Sequence, residues 1–167
     1  NPTWSQQTLR HVLRDHGRQC KRLGWIDLHT GLGPSGHGER IFAGPDDAAK
    51  LQRARTWWGE QVTSMYDGSS ESAKLTGLMW LSAGEGCPQA QHTGIAMEYG
   101  TVPFNDVTAA LRADHWLHAH PEKGRSQAAS IRRQIRDAFY TDTDVWKNRI
   151  VDQALEAAQQ ALKGLRG

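Results

Sequence analysis

Apolar residues give way abruptly to glycine and proline near position 29, and this change constrains the fold more than any other feature. The residues before it include Leu23, Trp25, Ile26 and Leu28. Three glycines and a proline follow within seven residues of His29. The pattern predicts a buried strand over 23–28 and then a loop shaped by glycine. Side chains two apart on a strand share a face, so Asp27 and His29 would reach the strand end together, where sites in α/β sheets collect and an imidazole can bind a metal.

Length and charge limit the class of protein. With 167 residues, 38% of them hydrophobic and 23% charged, the chain has the size and balance of one soluble domain. Its net charge of +2 is too small, and its basic residues too interleaved with acidic ones, to predict a nucleic-acid partner. The sequence has no apolar run of membrane-spanning length and opens without a signal peptide, so no membrane association is expected. Two cysteines, Cys20 and Cys87, are too few for a disulfide framework and favour the cytoplasm.

The rest of the chain alternates between helical patterns and short apolar runs, which is typical of an α/β protein. Strands are predicted over 39–43 and 94–101, while 75–81 fits either a strand or a short helix. Helices are predicted over about 5–21, 48–64, 105–120, 127–140 and 143–162. The first helix, with Ser5 as its N-cap, leads into a strand with no earlier strand before it. We therefore expect the N-terminal part of a larger domain to be absent from this chain.

Glu98 is an acidic residue near the end of the otherwise apolar strand over 94–101. A carboxylate in that position has to be paired, bound to a metal or catalytic, because a bare buried charge is costly. The alternative is a structural role, in which Glu98 forms a buried ion pair with an arginine. We expect the strands over 23–28 and 95–99 to be neighbours or near-neighbours, with His29 and Glu98 at the same edge of the sheet.

Four further residues are candidates for substrate contacts. Tyr66 lies in a polar loop and Tyr99 in the second strand; each offers a hydroxyl, with packing as the alternative role. The amides of Gly31 and Gly33 would face a substrate oxyanion, unless these glycines serve loop geometry alone. All four are therefore kept as candidate substrate-binding residues.

Two other kinds of site are disfavoured by the sequence. His115, His118 and His120 form its densest histidine cluster, but a helix C-terminus that favours positive charge accounts for them. A serine hydrolase is disfavoured because the sequence has no Gly-x-Ser-x-Gly elbow. A hydrolase that uses Cys87 or a serine is therefore the weakest of the hypotheses.

Three motifs extend the pattern around the predicted strand ends. They are Asp27-Leu28-His29-Thr30-Gly31-Leu32-Gly33-Pro34, Glu98-Tyr99-Gly100-Thr101-Val102-Pro103 and Leu111-Arg112-Ala113-Asp114-His115-Trp116-Leu117. Together they resemble a bacterial domain family of unknown function, DUF2817, which is related to zinc carboxypeptidases, and this resemblance extends over nearly the whole chain. The Asp-x-His and the later Glu-x-Gly are also similar to those of carboxypeptidases, succinylglutamate desuccinylases and aspartoacylases.

This resemblance implies an α/β fold with a mixed sheet flanked by helices, of the zinc-carboxypeptidase (phosphorylase/hydrolase-like) type. The chain, residues 1–167, would be the C-terminal portion of a single hydrolase domain, truncated on its N-terminal side. The resemblance also implies a zinc-dependent hydrolase in which His29 is a metal ligand and Glu98 is the general base for a metal-activated water. Asp27 would be a supporting carboxylate that either orients a ligand or pairs with a neighbouring group in a structural role. The substrate would be a peptide or an acylated amino acid.

The ligand set implied by the resemblance is incomplete in this sequence. The related enzymes' His-x-x-Glu pair is absent, since His37-Gly38-Glu39 has the wrong spacing and follows the Asp-x-His. Zinc is therefore expected in the full-length protein, and it is expected to be absent or weakly bound in this chain alone. The alternative is a non-catalytic binding or scaffold module that keeps the fold without a full metal site.

Overall fold

Three strands form one mixed sheet, and helices flank it. The structure is a computed structural model in which residues 2–167 are described. Its strands are β1 (Arg22–Ser35), β2 (Gly38–Phe42) and β3 (Gln91–Gly100), in the sheet order β1-β3-β2. The predicted α/β class is confirmed, and so is the prediction that the strands around 23–28 and 95–99 are neighbours.

The helices lie before, between and after the strands in the chain. They are α1 (Trp4–Gly17), α2 (Ala48–Trp58), α3 (Leu81–Gly86), α4 (Phe104–Ala119), α5 (Pro121–Gly124), α6 (Ala128–Phe139) and α7 (Asp144–Arg166), with a 3₁₀ turn at Arg125–Gln127. The ambiguous segment 75–81 forms turns that lead into α3. Within residues 2–167, no helix combines the length and the apolar character that crossing a membrane requires.

The chain divides into two compact units, and each contains part of every strand. The first unit consists of residues 2–27, 40–97 and 155–167. The second unit consists of residues 28–39 and 98–154. The end of β1, the start of β2 and the end of β3 therefore belong to the second unit.

β1 and β3 run parallel, as their backbone hydrogen bonds require. The N–H of Gln91 donates to the carbonyl of Lys21 at one end of the pair. The N–H of Gly36 donates to the carbonyl of Gly100 at the other end. Between these bonds β1 advances from 21 to 36 while β3 advances only from 91 to 100, so β1 carries extra residues and departs from a regular register.

The segment after His29 is part of β1, and the prediction of a loop there is wrong. Gly31 and Gly33 have φ values of 136° and 94°, which other residues rarely adopt, and they let the strand bulge while it stays in the sheet. On β3, a Cβ at Gly100 would lie 2.1 Å from the carbonyl oxygen of Pro34. This close backbone approach keeps the glycine-rich segment paired with β3.

Two helix boundaries differ from the predicted ones because of their caps. α1 is capped by Thr3 rather than Ser5, and the Thr3 hydroxyl accepts a hydrogen bond of 3.3 Å from the N–H of Gln6. α2 ends at Trp58, well before its predicted end, because Gly59 adopts a φ of 100°. In both cases the cap, and not the apolar period, sets the boundary.

Each unit has a core of its own. In the first, the buried cluster consists of Ile41, Ala43, Met65, Trp80 and Ala96. In the second, α4 packs against α6, and the indole N–H of the buried Trp146 donates to the carbonyl of Gly100 at 2.8 Å. This last bond anchors the C-terminal end of β3, the strand that carries Glu98.

Candidate functional site

Glu98 lies on β3 in the second unit, with its side chain half-buried. Its carboxylate oxygen Oε1 accepts a hydrogen bond of 3.1 Å from the backbone N–H of Leu32 on β1. Leu32 lies between the two positive-φ glycines of β1, so the bulge directs its amide to a side chain. The bond holds one carboxylate oxygen, Oε1, in place.

Glu39 on β2 stands directly opposite Glu98. β2 and β3 run antiparallel, and the backbone hydrogen bonds that join 37 to 100 and 43 to 94 set residue 39 against residue 98. Paired residues of an antiparallel ladder point to the same face, with their Cβ atoms about 5 Å apart. The sequence predicted Glu39 only as part of a strand, because register is not visible in any single segment.

The pKa of Glu98 is raised above its usual value by these surroundings. Burial is the largest cause, and the negative charge of Glu39 adds to it. The N–H of Leu32 and the imidazole of His29 lower the pKa of Glu98 and partly offset burial. His29 itself is exposed on β1. The structure therefore brings His29 and Glu39 within electrostatic range of Glu98.

Asp27 and Tyr66 lie in the first unit. Asp27 is half-buried on β1, two residues before His29. Tyr66 is also half-buried, and its hydroxyl donates a hydrogen bond of 3.0 Å to the carbonyl of Gly44. Burial raises the pKa of Tyr66, and the charge of Asp46 adds to that effect. The supporting role of Asp27 and the substrate role of Tyr66 stay predictions.

The other three candidate substrate residues lie in the second unit. Tyr99 is 2% exposed, and its ring packs against Gly38, where a Cβ would come within 2.6 Å of it. Gly31 is covered by the ring of Phe139, whereas Gly33 is exposed and has open space around it. Gly33 thus offers the more open backbone to a ligand, and all three assignments stay predictions.

Within the described part of the chain, no group of three or more His, Cys, Asp or Glu side chains is arranged to hold a metal. The histidines at the end of α4, His115, His118 and His120, are exposed. The Nε2 of His118 lies 3.6 Å from the carboxylate of Asp114 on the same helix.

The cysteine and serine alternatives gain nothing from the structure. Cys87 is buried, and its thiol donates to the carbonyl of Leu13 at 3.4 Å. Burial, with Cys20 nearby, raises the pKa of the Cys87 thiol, which makes it a weak nucleophile at neutral pH. In the polar loop, the hydroxyl of Ser69 donates to Asp67 at 2.6 Å. A carboxylate, not a histidine, is therefore the partner of that serine.

Comparison with known proteins identifies a family. The family model described as "Protein of unknown function (DUF2817)" matches residues 1–153. The match includes the segments 27–34 and 98–103, which contain His29 and Glu98. No curated protein and no solved structure matches the chain. Because the matched segment covers most of its length, the chain belongs to the DUF2817 family.

Proposed function

We propose that this protein is a zinc-dependent hydrolase of amide bonds, with Glu98 as general acid and base and His29 as a zinc ligand. The observation that carries the proposal is the half-buried Glu98 carboxyl, whose pKa is raised, within electrostatic range of an exposed imidazole on the neighbouring strand. The substrate class is a peptide or an acylated amino acid, as the resemblance to carboxypeptidases and deacylases implies. The proposal keeps the enzyme in the cytoplasm, where unpaired cysteines such as Cys20 and Cys87 persist.

The described residues fit one position of a zinc site and not a complete one. A catalytic zinc takes three protein ligands and keeps an open position for water. His29 has the right donor and is exposed, but no described group of three donors includes it. A bound zinc would lower the pKa of its water and polarise the scissile carbonyl. The proposal therefore requires further ligands from outside the described residues.

The chain's own residues account for the proton transfers. The N–H of Leu32 fixes Oε1 of Glu98, so that Oε2 takes a proton from the attacking water and delivers it to the leaving amine. Burial and Glu39 move the pKa of Glu98 toward neutrality, where a general base is most effective. The N–H of Leu32, by favouring the carboxylate, keeps Glu98 able to accept the proton.

A second function, a non-catalytic binding module, is favoured by one observation. The described residues lack a complete donor group for a metal, as a relative that had lost catalysis would. On this reading Glu98 and Glu39 are cross-strand neighbours of the sheet with no catalytic role. The two functions differ in zinc content and in hydrolysis, which one set of measurements tests.

Zinc content tests the role of His29. In the protein produced from its natural gene, we expect about one zinc per chain by elemental analysis. His29→Ala should lower the zinc content severalfold, because one of few ligands is lost. His115→Ala, which removes an exposed histidine of α4, is the matched control and should leave the zinc content unchanged.

Hydrolysis tests the role of Glu98. On a panel of N-acylated amino acids and short peptides, Glu98→Gln should lower kcat about 10²- to 10⁴-fold while zinc content is retained. Glu122→Gln, at an exposed acid of α5, should have no effect. Unchanged hydrolysis in Glu98→Gln would contradict the assignment. A protein that neither holds zinc nor hydrolyses any amide would support the binding module instead.

A further inference from the structure

A pocket of about 540 Å³ opens in the first unit, between α2, α3 and the start of β3. Its volume lies within the range of about 300–1,000 Å³ that small-molecule sites occupy. Lys50, Arg53 and His92 line its polar side. Trp80, Leu81 and Pro88 line its apolar side. None of these residues takes part in the hydrolase site proposed above.

The pocket contains buried polar atoms without a partner. Trp80 is 7% exposed, and its indole Nε1 makes no hydrogen bond to any residue in the described part of the chain. The same holds for Nε2 of His92. A buried indole N–H is a donor only, and leaving it unbonded costs free energy, so such groups usually have an acceptor. Both nitrogens are covered by the protein, so the rings of Trp80 and His92, and not these atoms, form the surface that a ligand in the pocket would touch.

Positive charge dominates the polar side of the pocket. Lys50 and Arg53 lie three residues apart on α2 and so share a face of the helix. Arg53 is held in place by hydrogen bonds of 2.9 Å from Nε to the Thr93 hydroxyl and from Nη2 to the His92 carbonyl.

Two acids lie near these cations, and both are engaged. Glu85 also lines the pocket, but its carboxylate pairs with Arg10 at 2.7 Å. Asp47 lies 3.6 Å from the ammonium of Lys50, and its carboxylate caps α2 by accepting from the N–H of Ala49. Asp47 therefore offsets part of the charge of Lys50, but Arg53 and Lys50 together still lower the pKa of His92, so the potential beside His92 is positive and favours an anion.

We infer that this pocket binds the carboxylate or phosphate group of a small molecule whose apolar part packs on Trp80. The oxyanion would lie between Lys50 and Arg53, and the apolar part would pack on the Trp80 ring. Burial, Arg53 and Lys50 together lower the pKa of His92 to about 4, so His92 stays neutral at physiological pH and adds no charge that varies with pH.

The test uses the full chain and the indole N–H signals in NMR spectra. The Trp80 signal is assigned as the one that disappears in Trp80→Phe. Benzoate, inorganic phosphate and the neutral analogue benzamide are titrated in turn. We expect a saturable shift of the Trp80 signal with at least one anion and none with benzamide; benzoate alone points to a carboxylate ligand and phosphate alone to a phosphate ligand.

Variants of Lys50 link the shift to the pocket. Lys50 is partly exposed on α2, so Lys50→Met and Lys50→Gln should fold, which the rest of the spectrum checks. Each should weaken anion binding about tenfold, as the loss of one charge-assisted hydrogen bond does. Lys123→Met, at an exposed lysine of α5, is the matched control and should not change it. The inference is overturned if neither anion shifts the Trp80 signal saturably, if benzamide binds as tightly as benzoate, or if both Lys50 variants bind like the unchanged chain.

Discussion

β3 carries a half-buried titratable residue near each of its ends, His92 in the first unit and Glu98 in the second. Burial favours the neutral form of both: it lowers the pKa of His92 and raises that of Glu98. The neighbouring charges differ. At His92 the cations act in the same direction as burial, to a pKa of about 4. At Glu98 the N–H of Leu32 and the imidazole of His29 oppose burial.

This difference separates His92, whose charge is fixed at physiological pH, from Glu98, which the proposed function uses as a general acid and base. His92 is neutral throughout the physiological range, so it adds no charge that varies with pH to the pocket beside it. Glu98 has stabilising contacts for its charged form and desolvation against it, which is the balance that general acid–base catalysis uses. The same strand thus provides two chemical environments.

The largest expected effect on stability is that of Gly100→Ala, which disrupts the C-terminal end of β3 two residues after Glu98. A Cβ at Gly100 would meet backbone oxygens of Pro34 and Gly33 at 2.1 and 2.2 Å, and backbone cannot move aside as a flexible side chain can. We expect a loss of about 3 kcal/mol or more in the free energy of unfolding, measured with urea. Gly84→Ala in α3, where a Cβ would have open space, is the matched control and should be neutral or slightly stabilising. Equal stabilities of the two variants would contradict the close approach.

The next largest effect is the change in the free energy of unfolding with pH that His92 causes. Because the pKa of His92 is lowered to about 4, the unfolded chain binds a proton near pH 6.5 that the folded chain does not. Stability should therefore fall as pH is lowered from 6.5 to 4, with His92 contributing about 2 kcal/mol of the change. Urea unfolding at several pH values measures it.

His92→Phe sharpens this test, since it keeps a ring beside Trp25 and removes the titration. Its stability should fall less than that of the unchanged chain over the same range of pH. His115→Ala, at an exposed histidine, should leave the dependence on pH as it is. If the His92→Phe profile were parallel to that of the unchanged chain, another group would be responsible for the loss.

Much of the fold could be predicted from local patterns. The apolar runs around 23–28 and 94–101 are strands, and their adjacency follows from the α/β pattern. The glycines after His29 were misleading, because glycine signals both a loop and a bulge within a strand, and only the pairing with Gly100 distinguishes the two. The end of α2 was also mispredicted, because it depends on the backbone conformation of Gly59, which the apolar pattern does not reveal.

The candidate sites were predictable only in part, for a related reason. His29 and Glu98 stand out because each follows an apolar run in its own segment. Glu39 does not, since its position opposite Glu98 exists only once β2 and β3 pair in one register. The pocket in the first unit combines α2, α3 and β3, and no single segment carries its signal.

The smallest expected effect is the coupling between Glu39 and Glu98. Like charges directly opposite on antiparallel strands destabilise the sheet, here by about 0.5 kcal/mol at pH 7. A double-mutant cycle with Glu39→Gln and Glu98→Gln isolates this energy from whatever other contacts each acid makes. Urea unfolding of the four proteins measures it.

The coupling energy between Glu39 and Glu98 should change with pH, and the sign of the change follows from the raised pKa of Glu98. A carboxyl whose pKa is higher in the folded chain contributes stability below its unfolded pKa, and that contribution is lost as pH rises through the folded value. The repulsion should therefore be present at pH 7 and shrink at pH 4, where Glu98 takes up a proton. A cycle with Glu122 in place of Glu39 should give no coupling at either pH, because Glu122 is an exposed residue of α5. Additive effects of the Glu39 and Glu98 substitutions at pH 7 would mean that the two carboxyls do not share one face of the sheet, and the balance proposed for Glu98 would then rest on burial, Leu32 and His29 alone.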